Sequence, residues 1–232
     1  MPRLKDETSP VVLIGDVVDS RLHPDRQQLH DALEAAIVAA NSSSTPLDPL
    51  VITLGDEFQG VFATVGDALT ASFHVRAHLH PLADVRFGVG RGEVSTLDAA
   101  RGIHDGPGYW AARDAIVEIE ERATRARSRT ARTGYSPGAS RAGEVGEAGE
   151  AGDAGQPPDT VTALRAALDC LDFMVGSMST TTRDILGGLM DGQSQHDVAT
   201  RLGISASAVS QRVRRDGVGV ALDAMAALGR LS

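Results

Sequence analysis

Two aspartates, Asp16 and Asp56, are the residues of this sequence whose surroundings suggest chemistry. Asp16 follows the apolar run of residues 10–15, and Asp56 stands in a tight turn between two further apolar runs. Two carboxylates held close together repel each other unless a cation lies between them or one takes a proton. A hard divalent cation, Mg²⁺ or Mn²⁺, meets this need and also binds substrate phosphates. The structural alternative is that Asp16 caps a helix and Asp56 serves only the turn.

The elements that must position these aspartates follow from the spacing of the apolar residues. Short apolar runs predict strands at residues 10–15, 50–54, 59–63, 84–90 and 92–95. Helical spacing predicts helices at residues 25–40, 65–80 and 109–127. The resulting order, β-α-β-β-α-β, is that of a ferredoxin-like, split βαβ core. In such a sheet the first strand is the neighbour of the hairpin, so Asp16 and Asp56 would meet.

A low-complexity stretch divides the chain. Residues 134–158 are rich in Gly, Ala and Glu and hold almost no large apolar side chain, so burial cannot offset the entropy lost on ordering them. We predict a sheet-containing domain at residues 1–133, a flexible acidic linker at 134–158 and an all-α domain at 159–232. The fold class is therefore α+β, with helices predicted after the linker at residues 160–178, 183–190, 194–202, 205–215 and 218–228.

The all-α domain contains a run typical of a helix-turn-helix. Gly203 permits the turn, Ala199 permits close contact of the two helices, and Val198 and Val209 belong to their small core. Hydroxyl, amide and guanidinium groups can contact base edges or phosphates. Such groups lie on the face predicted to be exposed: Ser205, Ser207, Ser210, Gln211, Arg212, Arg214 and Arg215. We therefore predict DNA binding, with the alternative that these helices pack on the first domain or on a second chain.

Composition limits the classes of function. The single cysteine, Cys170, excludes a disulfide framework within the chain, which favours a reducing compartment. No signal peptide is visible at the start, and no apolar run approaches the roughly 18 residues that span a bilayer. The net charge is −9, and no part of the chain has a basic excess, so charge alone cannot hold it to nucleic acid. We expect a cytoplasmic protein without membrane contact, whose DNA binding would use a small local patch.

Four blocks of the first domain, in order, resemble the palm of class III nucleotidyl cyclases. These are the opening strand with its aspartate, the Gly-Asp-x-Phe hairpin, the next strand pair and the helix that contains Ala-Ala-Arg, at residues 12–20, 52–62, 85–94 and 106–113. The hairpin also resembles the Gly-Gly-Asp-Glu-Phe turn of diguanylate cyclases. With the helix-turn-helix added, the whole arrangement resembles the SatD family of bacterial proteins.

The resemblance implies roles for residues of the first domain. It implies that Asp16 and Asp56 bind the metal ion, with Asp19 as a third ligand or a helix cap, and that Arg113 stabilises the phosphoryl group in transfer. It also implies nucleotide contacts in three places. The turn after Asp16, whose N–H groups favour anions, contributes Val17, Val18, Ser20 and Arg21. The hairpin contributes Gly55 and Glu57, and the helix that contains Arg113 contributes Tyr109. The partner would be a nucleoside triphosphate or another nucleotide, and the class III precedent implies a homodimer.

Three departures from the cyclase pattern shape the expected function. Ile52 stands where adenylyl cyclases have the lysine that reads the purine, Tyr109 replaces an asparagine, and Asp19 replaces a glycine. These changes argue against an ordinary adenylyl cyclase. Three hypotheses therefore stand: a nucleotide-responsive DNA-binding regulator, an active nucleotidyl cyclase or related phosphoryl-transfer enzyme, and a catalytically inactive palm that serves as a scaffold for protein contacts.

Overall fold

The centre of the fold is a five-stranded sheet. A computed structural model of the chain describes residues 9–98, 103–138 and 157–232. Its strands are β1 (Val11–Val17), β2 (Pro46–Leu54), β3 (Glu57–Phe62), β4 (Val85–Arg91), β5 (Ser95–Asp98), β6 (Ile103–Asp105) and β7 (Thr133–Ser136). The sheet has the order β2-β3-β1-β4-β7; β1 is antiparallel to β3 and β4, and β7 is parallel to β4. Strands β5 and β6 form a second, two-stranded sheet.

Helices cover both faces of the sheet, and the side chains of β1 point alternately to one face and to the other. Val11 and Leu13 point into a core shared with two helices, whereas Val12 and Ile14 point into a smaller core under a third helix. Both faces of β1 are therefore buried, which explains why its sequence is a continuous apolar run. The three helices are, in chain order, α1 (Arg26–Ser43), α2 (Val65–Leu79) and α3 (Pro107–Ala123), of which α3 covers the smaller core.

The helical part of the structure, residues 157–232, is docked on the sheet part, residues 9–138. Its helices are α4 (Pro158–Ser177), α5 (Thr180–Met190), α6 (Gln195–Leu202), α7 (Ala206–Arg215) and α8 (Val218–Leu228). Helices α5 and α8 pack against α2, and α4 packs against β7. One apolar core continues from the sheet into these helices and includes Leu168, Ile185 and Val209. None of the described helices is long and apolar enough to cross a membrane.

The predicted α+β class is confirmed, and so are the helices expected after the linker, with small shifts at their ends. The predicted linker began too early. Residues 133–136 form β7, whose Tyr135 is 1 % exposed, and α4 already begins at Pro158. Most of the predicted linker, residues 139–156, lies outside the described residues. Glu57, which we expected in the hairpin turn, is the first residue of β3.

A buried carboxylate joins the helical part to the sheet part. Asp172 of α4 is 3 % exposed, and its Oδ1 accepts a hydrogen bond from Nη1 of Arg76 on α2 at 2.7 Å. Its Oδ2 accepts from the backbone N–H groups of Arg132 and Thr133, each at 2.7 Å. The side chains of Arg76 and Arg132 also donate to Asp84, at 2.9 and 2.8 Å. Burial alone would raise the pKa of Asp84, but the two guanidinium groups lower it.

Asp172→Asn should destabilise the fold strongly. An amide cannot accept at both former oxygen positions, so a buried donor loses its partner and Arg76 keeps Asp84 as its remaining carboxylate; we expect the free energy of unfolding to fall by about 3 kcal/mol. Asp169→Asn is the matched control on the same helix, because Asp169 forms a more exposed ion pair with Arg122; it should lose no more than about 1 kcal/mol. Urea unfolding followed by circular dichroism measures both. Equal losses in the two variants would contradict the importance of the buried carboxylate.

Candidate functional site

The predicted carboxylates lie at one end of the sheet, on the face covered by α3. Asp16 near the end of β1 is in register with Glu57 of β3 on one side and with Arg86 of β4 on the other. Asp56 occupies the turn between β2 and β3. This end of the sheet, with two side chains from α3, holds what we call the charged cluster: Asp16, Asp56, Glu57, Arg86, Arg113 and Glu120.

Asp16 is bound by a guanidinium group. Arg86 donates from Nε to Oδ1 at 3.1 Å and from Nη2 to Oδ2 at 2.9 Å, and its Nη1 donates to Glu120 of α3 at 3.0 Å. Burial raises the pKa of Asp16, and the charges of Glu120 and Asp56 raise it further, while Arg86 acts in the opposite direction. The cluster has four carboxylates and two guanidinium groups, which gives it a formal excess of negative charge.

Arg113, the predicted phosphoryl-stabilising residue, lies on α3 and binds Glu57. Its Nη1 and Nη2 donate to the two carboxylate oxygens of Glu57 at 2.6 and 2.7 Å. The Arg113 side chain is 48 % exposed, so its guanidinium group remains accessible from solvent. A close approach of α3 to β4 sets this position. A Cβ added at Gly90 would lie 2.1 Å from the backbone nitrogen of Ala112, so only glycine fits there.

The three predicted metal ligands are only partly brought together. Asp56 is close enough to raise the pKa of Asp16. Asp19 is exposed, has a left-handed backbone with φ 54°, and makes no side-chain capping bond to the short 3-10 turn of Ser20–Leu22. Within the part of the chain that the structure describes, no three ligand atoms of this cluster lie within 4.8 Å of one another. The positive charge beside Asp16 is therefore the guanidinium group of Arg86.

The turn predicted to bind phosphate lines a cleft but uses one of its N–H groups elsewhere. The Val18 N–H donates to the carbonyl of Asp84 at 2.9 Å, so a phosphate that used this N–H would have to replace that hydrogen bond. Val17 is buried in β1, and the carbonyl of Ser20 accepts from Arg26. Arg21 is exposed. The cleft beside this turn has a volume of about 230 Å³ and is closed on its other side by residues 82–83.

Tyr109, another predicted nucleotide contact, is a core residue. It is 8 % exposed, packs in the smaller core under α3, and burial raises the pKa of its hydroxyl to about 12. Its ring lies parallel to that of His104, with the ring centres 6.2 Å apart. His104 in turn lies 2.9 Å from the carboxylate of Asp48. Gly55, in the hairpin turn, has a positive φ of 68° and open space around its Cα.

Helices α6 and α7 keep a polar face exposed although the helical part is docked. α6 begins with a capping box between Ser194 and Asp197, and it ends at Gly203 with φ 64°. The side chain of Ser205 then caps α7, which buries Val209. Of the predicted DNA contacts, Ser210 and Arg212 are half-buried, and the exposed ones are Ser205, Ser207, Gln211, Arg214 and Arg215.

The sequence reasoning missed Arg86 and Glu120. Arg86 lies between buried residues in β4, and a guanidinium group in a central strand needs an acidic partner. That mismatch between residue type and surroundings was a usable signal for the pair with Asp16. Glu120 gave no such signal, because it lies among several exposed acidic residues at the end of α3.

Comparison with protein-family models relates the first half of the chain to a known family. The model of a protein family described as the SatD family matches residues 10–134. The matched range contains β1 to β6, the start of β7 and the helices α1 to α3, and it includes every member of the charged cluster. Among the curated proteins, none matches this chain.

Gly90→Ala should separate α3 from the sheet. The added methyl group would meet the backbone of Ala112, so we expect the free energy of unfolding to fall by about 2 kcal/mol. Gly187→Ala in α5 is the control, because its methyl group would make only ordinary contact with Ala77 at 3.7 Å. Alanine favours a helix, so that variant should gain up to about 1 kcal/mol. Urea unfolding of the two variants measures both changes. If Gly90→Ala is as stable as the wild type, the close approach of α3 to β4 does not contribute to stability.

Proposed function

Since the chain belongs to the SatD family, we propose that it is a nucleotide- and metal-responsive regulator that binds DNA through its helical part. The strand order β2-β3-β1-β4, with α1 and α2 as the two crossover helices, supports a ferredoxin-like palm, because a split βαβ unit has this order and these antiparallel neighbours. The charged cluster lies where β1 ends beside the hairpin. The resemblance to nucleotidyl cyclases assigns the metal and phosphates to the same place.

One observation carries the proposal: two carboxylate–guanidinium pairs lie side by side at a partly exposed end of the sheet. They are Asp16 with Arg86 and Glu57 with Arg113. A nucleotide with its magnesium ion offers both complementary charges. The carboxylates would exchange guanidinium for Mg²⁺, and the guanidinium groups would exchange carboxylate for phosphate oxygens. Each charged group keeps an opposite partner, so the exchange avoids an unpaired charge.

Hydrogen bonds and short stretches of backbone together link this site to the helical part. The Val18 N–H, two residues beyond Asp16, donates to the carbonyl of Asp84. The carboxylate of Asp84 binds Arg76, which also binds Asp172 of α4. Contiguous polar networks of this kind can carry coupling between distant sites when they have two arrangements. We propose that nucleotide binding shifts the turn at Val18 and thereby the docking of the helical part.

The exposed face of α7 supplies the proposed DNA contact. Its serine hydroxyls and the amide of Gln211 suit base edges, while Arg214 and Arg215 suit phosphates. A single module with so few basic side chains would bind weakly. A homodimer would present two such helices to two half-sites, and linked binding raises affinity without new contacts.

Nucleoside triphosphates with Mg²⁺ should stabilise the full chain against heat. A nucleotide at about 100 times its Kd should add roughly 2.7 kcal/mol to the free energy of unfolding. Asp56→Asn should abolish the part of the shift that depends on Mg²⁺, because it removes a metal ligand from an exposed turn. Asp31→Asn, which changes an exposed carboxylate on α1, is the matched control and should behave as the wild type. A thermal-shift panel of all nucleotides measures this.

The same mixtures separate the three functions when they are analysed for products by mass spectrometry. Stabilisation without any product supports the regulator. A cyclic or otherwise converted nucleotide that disappears in Asp56→Asn would identify an enzyme instead. If no nucleotide stabilises the chain, the scaffold is the hypothesis that remains.

DNA binding should weaken steeply with salt. The three arginines at the end of α7 predict a slope of about −2.7 for the logarithm of the binding constant against the logarithm of salt concentration, per module. Arg214→Gln should reduce the slope by about 0.9. Arg127→Gln removes the same charge from an exposed position outside the helical part and should leave the slope unchanged. Fluorescence anisotropy with mixed-sequence duplexes provides the titration, and absence of binding at low salt would reject DNA as a partner.

A further inference from the structure

Two histidines and an aspartate converge where the sheet part meets the helical part, away from the charged cluster. His74 and His78 are one turn apart on α2, and Asp191 follows the last residue of α5. Oδ1 of Asp191 lies 3.1 Å from Nε2 of His78 and 3.7 Å from Nδ1 of His74. All three ligand atoms lie within 4.8 Å of one another. We call these three residues the His–His–Asp cluster.

We propose that the His–His–Asp cluster binds a divalent transition-metal ion, which fastens the helical part to α2. Imidazole nitrogens suit zinc, cobalt, nickel and iron better than magnesium, and one carboxylate supplies part of the compensating charge. Ligands held 2.0–2.2 Å from a tetrahedral ion lie about 3.3–3.5 Å apart. The two nitrogen–oxygen separations, 3.1 and 3.7 Å, bracket that value, and the ligand nitrogens of the two histidines lie within 4.8 Å of each other. Rotation of the imidazole side chains toward a bound ion would complete the geometry.

The buried histidine is an independent reason to expect a ligand. His74 is 9 % exposed, and its Nδ1 is a buried atom with no hydrogen-bond partner among the described residues. Buried polar atoms are rarely left without a partner. A bound ion would satisfy this nitrogen.

The open side of the cluster leaves room for water on the ion. A cleft of about 250 Å³ reaches His78 and Asp191 and is lined by Gly187, Gly188 and Arg201, whose guanidinium group is held by Gln193 and the carbonyl of Asp184. An ion with three protein ligands would take its remaining ligands from this cleft, the arrangement of metal sites that keep an open position. Because two ligands come from α2 and one from the end of α5, the ion would tie the two parts together.

Titration of the metal-free full chain with Zn²⁺, and separately with Co²⁺, tests the proposal. We expect one ion per chain, and slower amide hydrogen exchange in α2 and α5 when Zn²⁺ is bound. His78→Ala and Asp191→Ala remove partly exposed ligands and should fold normally, as circular dichroism will check. Each should lower the affinity for Zn²⁺ by more than about 100-fold, since the loss of an outer partner alone lowers metal affinity tenfold to a hundredfold.

Two control variants give the titration its specificity. His30→Ala removes an exposed histidine of the His30–Glu34 pair on α1, to which the described residues add no third ligand, and this variant should bind Zn²⁺ as the wild type does. Asp31→Asn changes an exposed carboxylate on α1 that belongs to neither proposed site, so it should also keep full Zn²⁺ affinity. Equal affinity in the wild type and His78→Ala would overturn the proposal, and so would absence of Zn²⁺ binding.

Discussion

The carboxylate of Asp172 is the constraint on which the arrangement of the two parts depends. It is almost fully buried, and it can stay there only if every oxygen has a donor. Those donors are the guanidinium group of α2 and two successive N–H groups at the start of β7. Helix α4, helix α2 and the edge strand must therefore be placed together. The apolar core shared by the sheet and the helices supplies the larger driving force, but it has no comparable directionality.

The same network places the charged cluster within reach of the helical part. Asp84 lies between them: its carboxylate faces Arg76 and Arg132, and its carbonyl receives the N–H of the turn that follows β1. Two residues further along the chain, Arg86 binds Asp16. A short segment thus contributes both to the docking of the helices and to the candidate nucleotide site. Any ligand that repositions Arg86 acts on a strand whose first residues are already held by the docking contacts.

The sequence predicts the elements better than their contacts. The apolar run of β1 and the capped helices α6 and α7 carry local signals, and these predictions are confirmed as strand and helices. Strand β7 was hidden because Gly134 resembles a linker glycine, whereas a Cβ there would lie 2.5 Å from a carbonyl of α3. The pair of Asp16 with Arg86 depends on the register between β1 and β4, and the pair of Glu57 with Arg113 depends on where α3 lies over the sheet. Residue spacing along the chain contains neither quantity, so spacing alone does not identify the carboxylate that each arginine binds, although the position of Arg86 among buried residues indicates that it needs one.

Because the side chains of β1 alternate between the two faces of the sheet, the sheet part has two apolar cores of unequal size. The core that faces α1 and α2 continues into the helical part, while the core under α3 is limited to a few residues around Val12, Ile14 and Ile116. The smaller core is supplemented by close backbone contact, because Gly88, Gly90 and Gly134 let α3 lie directly on the strands. The sheet therefore holds the helix that bears Arg113 and Glu120 firmly in place. A ligand at the candidate site would meet a preformed set of charges, and it could exchange their partners without moving the helix.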